Sequence, residues 1–122
     1  MALDWLDFDF SGDEEGHGSF DAMAAALTAQ LPALQAEVLR VLAWAEHVFG
    51  APAPLEEGGA WDYELQGVQE VATPLDVSVD LSAHKIALQP GTSASPRFTL
   101  SLTVTGSEDF CDAFRAEFGV DS

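Results

Sequence analysis

The stretch Gly18–Leu27, "GSFDAMAAAL", decides how this chain folds. Its alanines favour a helix. Its setting favours a strand: a glycine-rich turn precedes it, and Thr28 directly behind it offers a fresh N-cap to a separate helix. Composition leaves strand and helix both open, and the setting tips the choice. We read the stretch as the second strand of a hairpin.

The first strand lies upstream. Leu6, Phe8 and Phe10 alternate with Asp7 and Asp9, the period of two of a half-buried strand. The phase slips between Trp5 and Leu6, which would put Trp5 on the outer side with the acids. Residues 7–18, "DFDFSGDEEGHG", also begin like a calcium loop, with Asp7, Asp9 and Ser11 at the first, third and fifth positions and Gly12 at the sixth. The likeness ends at the twelfth position, where a bidentate Glu is needed and Gly18 stands. Glu14 occupies the eighth, where an apolar residue is expected, and only six residues precede Asp7, too few for an incoming helix. The plainer reading is a hairpin, with Asp7 and Asp9 on its wet side and residues 11–18 as its turn. A weak divalent-cation site using Asp13, Glu14, Glu15 and His17 is the alternative.

Downstream, the spacing predicts a long helix over residues 29–49. Leu31, Leu34, Val38, Leu42, Ala45 and Phe49 recur every three or four residues and form an apolar stripe, widened by Val41 and Trp44. Gln35, Glu37 and Arg40 fall on the opposite face. Thr28 is the expected cap, Pro32 sits in the first turn, and Gly50 ends the helix. A second helix over residues 108–118 takes Ser107 as its cap and aligns Phe110, Phe114 and Phe118, with Cys111 beside them.

Between the helices the alternation is that of strands. Trp61, Tyr63 and Leu65 alternate with Asp62, Glu64 and Gln66. Leu75, Val77, Val79 and Leu81 alternate with Asp76, Ser78, Asp80 and Ser82. Ile86 and Leu88 suggest one short strand more, and Phe98 to Val104 alternate with threonine and serine. Residues 50–59 and 90–97 are loops by their Pro and Gly content, too short to separate two domains. The expected fold class is therefore α+β, a single domain over residues 1–122 in the order β-β-α-β-β-β-β-α. An antiparallel sheet of five or six strands carries both helices on its apolar face and leaves the other face wet.

Charge narrows the partners. The chain has 122 residues, with 21 Asp and Glu against 4 Lys and Arg, a formal net charge of −17. Nucleic acid is excluded, because its affinity comes from basic groups that displace counterions. An anionic membrane surface is disfavoured for the same reason. No apolar run approaches the ~20 residues of a membrane span, and the first ten residues, acidic and without a base, are unlike a secretory signal or transit peptide. A single cysteine rules out an intrachain disulfide framework, which points to the cytoplasm.

Catalytic chemistry finds no signature. Cys111 has no local partner that would pair it with His17, His47 or His84, and a thiol on a phenylalanine-lined helix face belongs to a core. The neighbouring Glu108, Asp109 and Asp112 would raise its pKa. There is no phosphate loop, nucleophile elbow, dinucleotide fingerprint or histidine metal spacing. No cofactor or metal is expected, and the protein is read as non-catalytic.

One constellation remains. On the wet face the alternation gathers Asp7, Asp9, Asp62, Glu64, Asp76 and Asp80, interleaved with Thr99, Ser101 and Thr103. Acids are uncommon on strands. The expectation is a small interaction protein that receives Arg and Lys of a basic protein partner on this face, by the physics that inhibitors of basic toxins and mimics of nucleic acid use. The alternatives are the cation site of residues 7–18 and acidity that serves solubility alone. Nothing in the sequence selects an oligomeric state.

Overall fold

The computed structural model describes residues 2–120. The chain is α+β, and the described residues form six antiparallel strands and two helices in the order read from the sequence. The strands are β1 (Asp9–Gly12), β2 (Gly18–Leu27), β3 (Trp61–Glu70), β4 (Leu75–Asp80), β5 (Lys85–Pro90) and β6 (Arg97–Gly106). The helices are α1 (Leu31–Phe49), between β2 and β3, and α2 (Glu108–Phe118), after β6. A 3-10 turn, Leu55–Glu57, lies in the loop before β3. No helix among the described residues is long and apolar enough to cross a membrane.

The six strands are divided four and two. β1, β2, β6 and β3 form one sheet in that order, and β4 and β5 pair only with each other. Gly18–Leu27 is the strand that its setting implied, hydrogen-bonded on one side to β1 and along its whole length to β6 on the other. Alanine's helical preference is worth a few tenths of a kcal/mol per residue over most alternatives. It loses here to a full ladder and to burial, because Phe20, Ala22, Ala24 and Ala26 all face the core.

Both helices cover one face of the sheet. Phe20 of β2 stacks on Phe114 of α2 with ring centroids 4.2 Å apart, and Phe8 meets Phe114 edge-on at 5.2 Å. Trp44 of α1 touches Phe110, Phe114 and Phe118 of α2, which locks the helices to each other. The Trp61 indole N–H donates to the Gly50 carbonyl at 2.8 Å, tying the start of β3 to the end of α1. Gly18 and Gly106 oppose each other in the ladder, and α2 starts directly above them. A Cβ on Gly106 would stand 2.2 Å from the Phe110 ring, and one on Gly18 2.7 Å from the Cys111 sulfur, so both positions must be bare.

Helix α2 has the bounds and the cap expected of it: the Ser107 hydroxyl accepts from the Phe110 N–H at 3.3 Å. Helix α1 starts two residues later than its spacing implied. Its N-cap is Gln30, without a side-chain cap bond, and not Thr28. β2 stays paired up to Leu27, so residues 28–30 are consumed by the turn that reverses the chain.

The largest departure concerns Glu37, placed by periodicity on the wet side of α1. It is 2% exposed. Its carboxylate accepts the backbone N–H groups of three consecutive residues, Asp4, Trp5 at 2.8 Å and Leu6 at 2.7 Å. The N-terminal segment thus covers what would have been open helix surface and brings amides that satisfy a buried acid. Trp5 lies half-buried against the core rather than on the outer sheet face. Leu6 and Phe8 are buried with it.

Beyond the sheet, β3 and β6 run on into the β4–β5 ribbon. The Gly91 N–H donates to the Pro74 carbonyl and the Ala94 N–H to the Ala72 carbonyl, each at 2.8 Å, which carries the pairing across the joint. Six residues, 91–96, there face four, 71–74, a local surplus of the kind that increases twist. Every residue from 63 to 95 is exposed. At the tip, Asp80 accepts from the Ser82 hydroxyl at 2.7 Å and the Ala83 N–H at 3.1 Å. These bonds hold its carboxyl below the usual carboxylate range, the hydroxyl contributing most. They are in place at neutral pH and are lost only as the pH falls through that lowered value.

Removing the Glu37 acceptor should be the costliest change at any charged residue. Glu37→Ala removes the acceptor of three amides, those of Trp5 and Leu6 at least half-buried, and should lower the unfolding free energy by about 3 kcal/mol, measured by urea denaturation. Glu37→Gln keeps one acceptor oxygen and should lose roughly half as much.

Candidate functional site: an acidic rung on the open sheet face

The outer face of the four-stranded sheet carries no helix among the described residues. Its side chains are those opposite in parity to the buried set. From β2 these are Ser19, Asp21, Met23 and Ala25; from β6, Thr99, Ser101, Thr103 and Thr105; from β3, Asp62, Glu64 and Gln66. Asp9 and Ser11 of β1 complete the edge.

Register arranges the acids. Asp9 lies opposite Asp21, Asp21 opposite Thr103, and Thr103 opposite Glu64. One rung perpendicular to the strands therefore reads Asp–Asp–Thr–Glu, with neighbours about 4.8 Å apart in the hydrogen-bonding direction. The next rung reads Ser11, Ser19, Thr105, Asp62. The Thr103 hydroxyl donates to Asp21 Oδ1 at 2.6 Å, and Gln66 Nε2 donates to Glu64 Oε1 at 3.0 Å. Each bond holds one carboxylate and leaves its second oxygen available. Asp7, Asp9, Asp21, Met23, Ser101 and Thr103 border an open depression of about 420 Å³, and Asp62, Glu64, Thr103 and Thr105 border a second of about 300 Å³. Among the described residues the one base on this face is Arg97. It lies at the far end of β6, opposite Leu27 and Glu70.

Of the six carboxylates expected together, Asp9, Asp62 and Glu64 share this face, and Asp7 stands at its rim, just before β1. Asp76 and Asp80 do not belong to the same sheet. They are on the β4–β5 ribbon, opposite Gln89 and Lys85, and Asp80 is taken up by the turn at the tip. The alternation that placed all six is sound strand by strand. It carries no information about which strands pair. Asp21 was missed, although the parity of β2 would have found it once Gly18–Leu27 was taken as a strand: Phe20 and Ala22 point inward, so Asp21 points out.

The turn of residues 11–18 is built by its own acid. Asp13 Oδ1 accepts from the N–H groups of Glu15 and His17, both at 2.9 Å, and Gly16 takes a positive φ of 86°. Among the described residues no three His, Cys, Asp or Glu side chains are grouped so as to hold a metal ion. Cys111 is buried under the start of α2, its thiol directed to the Gly106 carbonyl at 3.5 Å. Burial, and then the Asp112 carboxylate, push the thiol pKa up. Such a thiol is a poor nucleophile at neutral pH.

No family model, no curated protein and no solved structure matches this chain.

Two outcomes follow from the geometry. Like charges directly opposite each other weaken a sheet, so Asp9→Asn should raise the unfolding free energy by about 0.5 kcal/mol in a denaturant titration. Cys111 should react with a thiol reagent at neutral pH at least about a hundredfold more slowly in the native protein than in the unfolded chain, with the rate rising as pH approaches its raised pKa.

Proposed function

We propose that this is a non-catalytic interaction protein that binds a basic protein partner on the acidic rung of Asp9, Asp21 and Glu64, flanked by Asp7 and Asp62. The observation that carries the reading is the facing pair Asp9 and Asp21. A sheet that needed only solubility could scatter its acids. Setting two carboxylates opposite each other across a ladder costs stability, and an incoming guanidinium or ammonium offsets that cost.

The chemistry suits such a partner. The rung carboxylates Asp9, Asp21 and Glu64 are exposed, and those of Asp21 and Glu64 are prealigned by hydrogen bonds from Thr103 and Gln66. Arg forks pair bidentately with carboxylates, and serine and threonine hydroxyls between the acids accept further N–H donors. A chain at −17 draws a cationic partner from a distance. The same field repels nucleic acid and gives faster encounter rather than raw affinity.

The test separates the rung from the overall charge. A partner retained at low salt should bind wild type with an affinity that falls steeply as salt rises, since exposed charges are screened over ~10 Å at 0.1 M. The triple variant Asp9→Asn, Asp21→Asn, Glu64→Gln should bind at least about tenfold more weakly. A control that removes the same charge elsewhere (Glu15, Glu46 and Glu57 to Gln) should bind nearly as wild type. Equal losses in the two variants would reduce the effect to net charge and defeat the reading.

A further inference from the structure

The β4–β5 ribbon presents an apolar face that no other described residue covers. Leu75 faces Pro90, Val77 faces Leu88 and Val79 faces Ile86, so these six side chains share one side, and Leu81 follows in the same parity. Leu75, Val77, Val79, Leu81, Ile86 and Leu88 are each 52–82% exposed. The other side pairs Asp76 with Gln89, Ser78 with Ala87 and Asp80 with Lys85. An isolated two-stranded hairpin is marginal in water and needs a third layer or strand. A contiguous apolar patch of several hundred Å² marks an interaction surface.

The charge distribution selects the occupant. Within the ribbon, from Leu75 to Pro90, the two aspartates, Asp76 and Asp80, stand against Lys85 and leave one net negative charge. All other acids of the chain share only Arg40, Arg97 and Arg115, so all but one unit of the formal charge of −17 resides outside the ribbon. Two copies brought together through any other surface set that charge against itself. The ribbon is nearly neutral, and one of its faces is apolar.

We propose that the ribbon is a homodimerisation arm, which docks by its apolar face on the same face of the arm of a second copy. The contact is isologous, as a two-fold dimer requires. Laid antiparallel, two arms place the bodies at opposite ends. Six residues at ~3.3 Å each span about 20 Å, which exceeds the screening length of ~10 Å at 0.1 M salt. Each arm then covers several hundred Å² of the other, in reach of the roughly 1,200 Å² in total at which specific interfaces begin. The arm lies on a different surface from the acidic rung and leaves it open.

Sedimentation equilibrium of the full chain over a wide concentration range, at low and high salt, tests this. The expected result is a reversible dimer that tightens as salt rises, because salt screens body against body. Val77→Asp and Leu88→Asp bury a charge in the interface and should weaken the dimer by roughly a hundredfold. Ser78→Asp, on the polar side, should leave it formed. The core does not include these residues, so far-UV circular dichroism and the melt of the body should stay unchanged and certify the variants as folded. A chain that is monomeric at all concentrations, its arm free for another protein or a lipid surface, overturns the assignment. So does a dimer that Leu88→Asp leaves intact or that Ser78→Asp dissociates equally.

Discussion

A single buried carboxylate holds the arrangement together. Glu37 reaches from the second turn of α1 to three successive amides of the N-terminal segment. An ionisable group this deep is tolerable only when its oxygens are occupied, and consecutive backbone N–H groups occupy them without a counter-cation. The clamp decides where residues 4–6 run. Leu6 and Phe8 thereby enter the core beside Phe114, and the chain emerges at the sheet edge in the phase that makes β1. That phase points Phe10 inward, under the Arg115 guanidinium at 4.9 Å, and Asp9 outward. The first carboxylate of the acidic rung is thus placed by a carboxylate on the opposite side of the molecule.

Legibility in the sequence followed the locality of the cause. Helix α2 could be read closely, because Ser107 and the phenylalanines at spacing four act within two or three turns. The strands could be read by alternation, which is a property of each strand by itself. Glu37 could not, because its partners lie more than 30 residues away and are backbone groups, which leave no trace in side-chain pattern. The division of six strands into a sheet and a ribbon was hidden for a related reason. Residues 71–74 and 91–96 read as ordinary loop and strand ends, and only the pairing of β6 with β2 on its other edge reveals that β4 and β5 have been left outside.

The two exposed surfaces divide the chemistry of the chain. The open sheet face concentrates acid and hydroxyl groups in rungs fixed by register. The ribbon is nearly neutral and greasy on one side. Ordinary solubility asks for neither arrangement, since it is satisfied by charge spread over any surface and by apolar groups left singly. The covered face, by contrast, is conventional: alternating inward residues, an aromatic cluster bridging two helices, and two bare glycines where α2 comes closest to the strands.

The ribbon also sets an order of assembly. β2 and β6 pair over a separation of some 80 residues, and closing so long a loop is slow and entropically dear. β4 and β5 are joined by four residues at a tip organised by Asp80, and a hairpin of that kind forms in microseconds. Zipping from that tip toward the body brings β3 and β6 into register before either has met the rest of the chain. The part of the molecule that contributes least to the finished core is then the part from which the central sheet can nucleate.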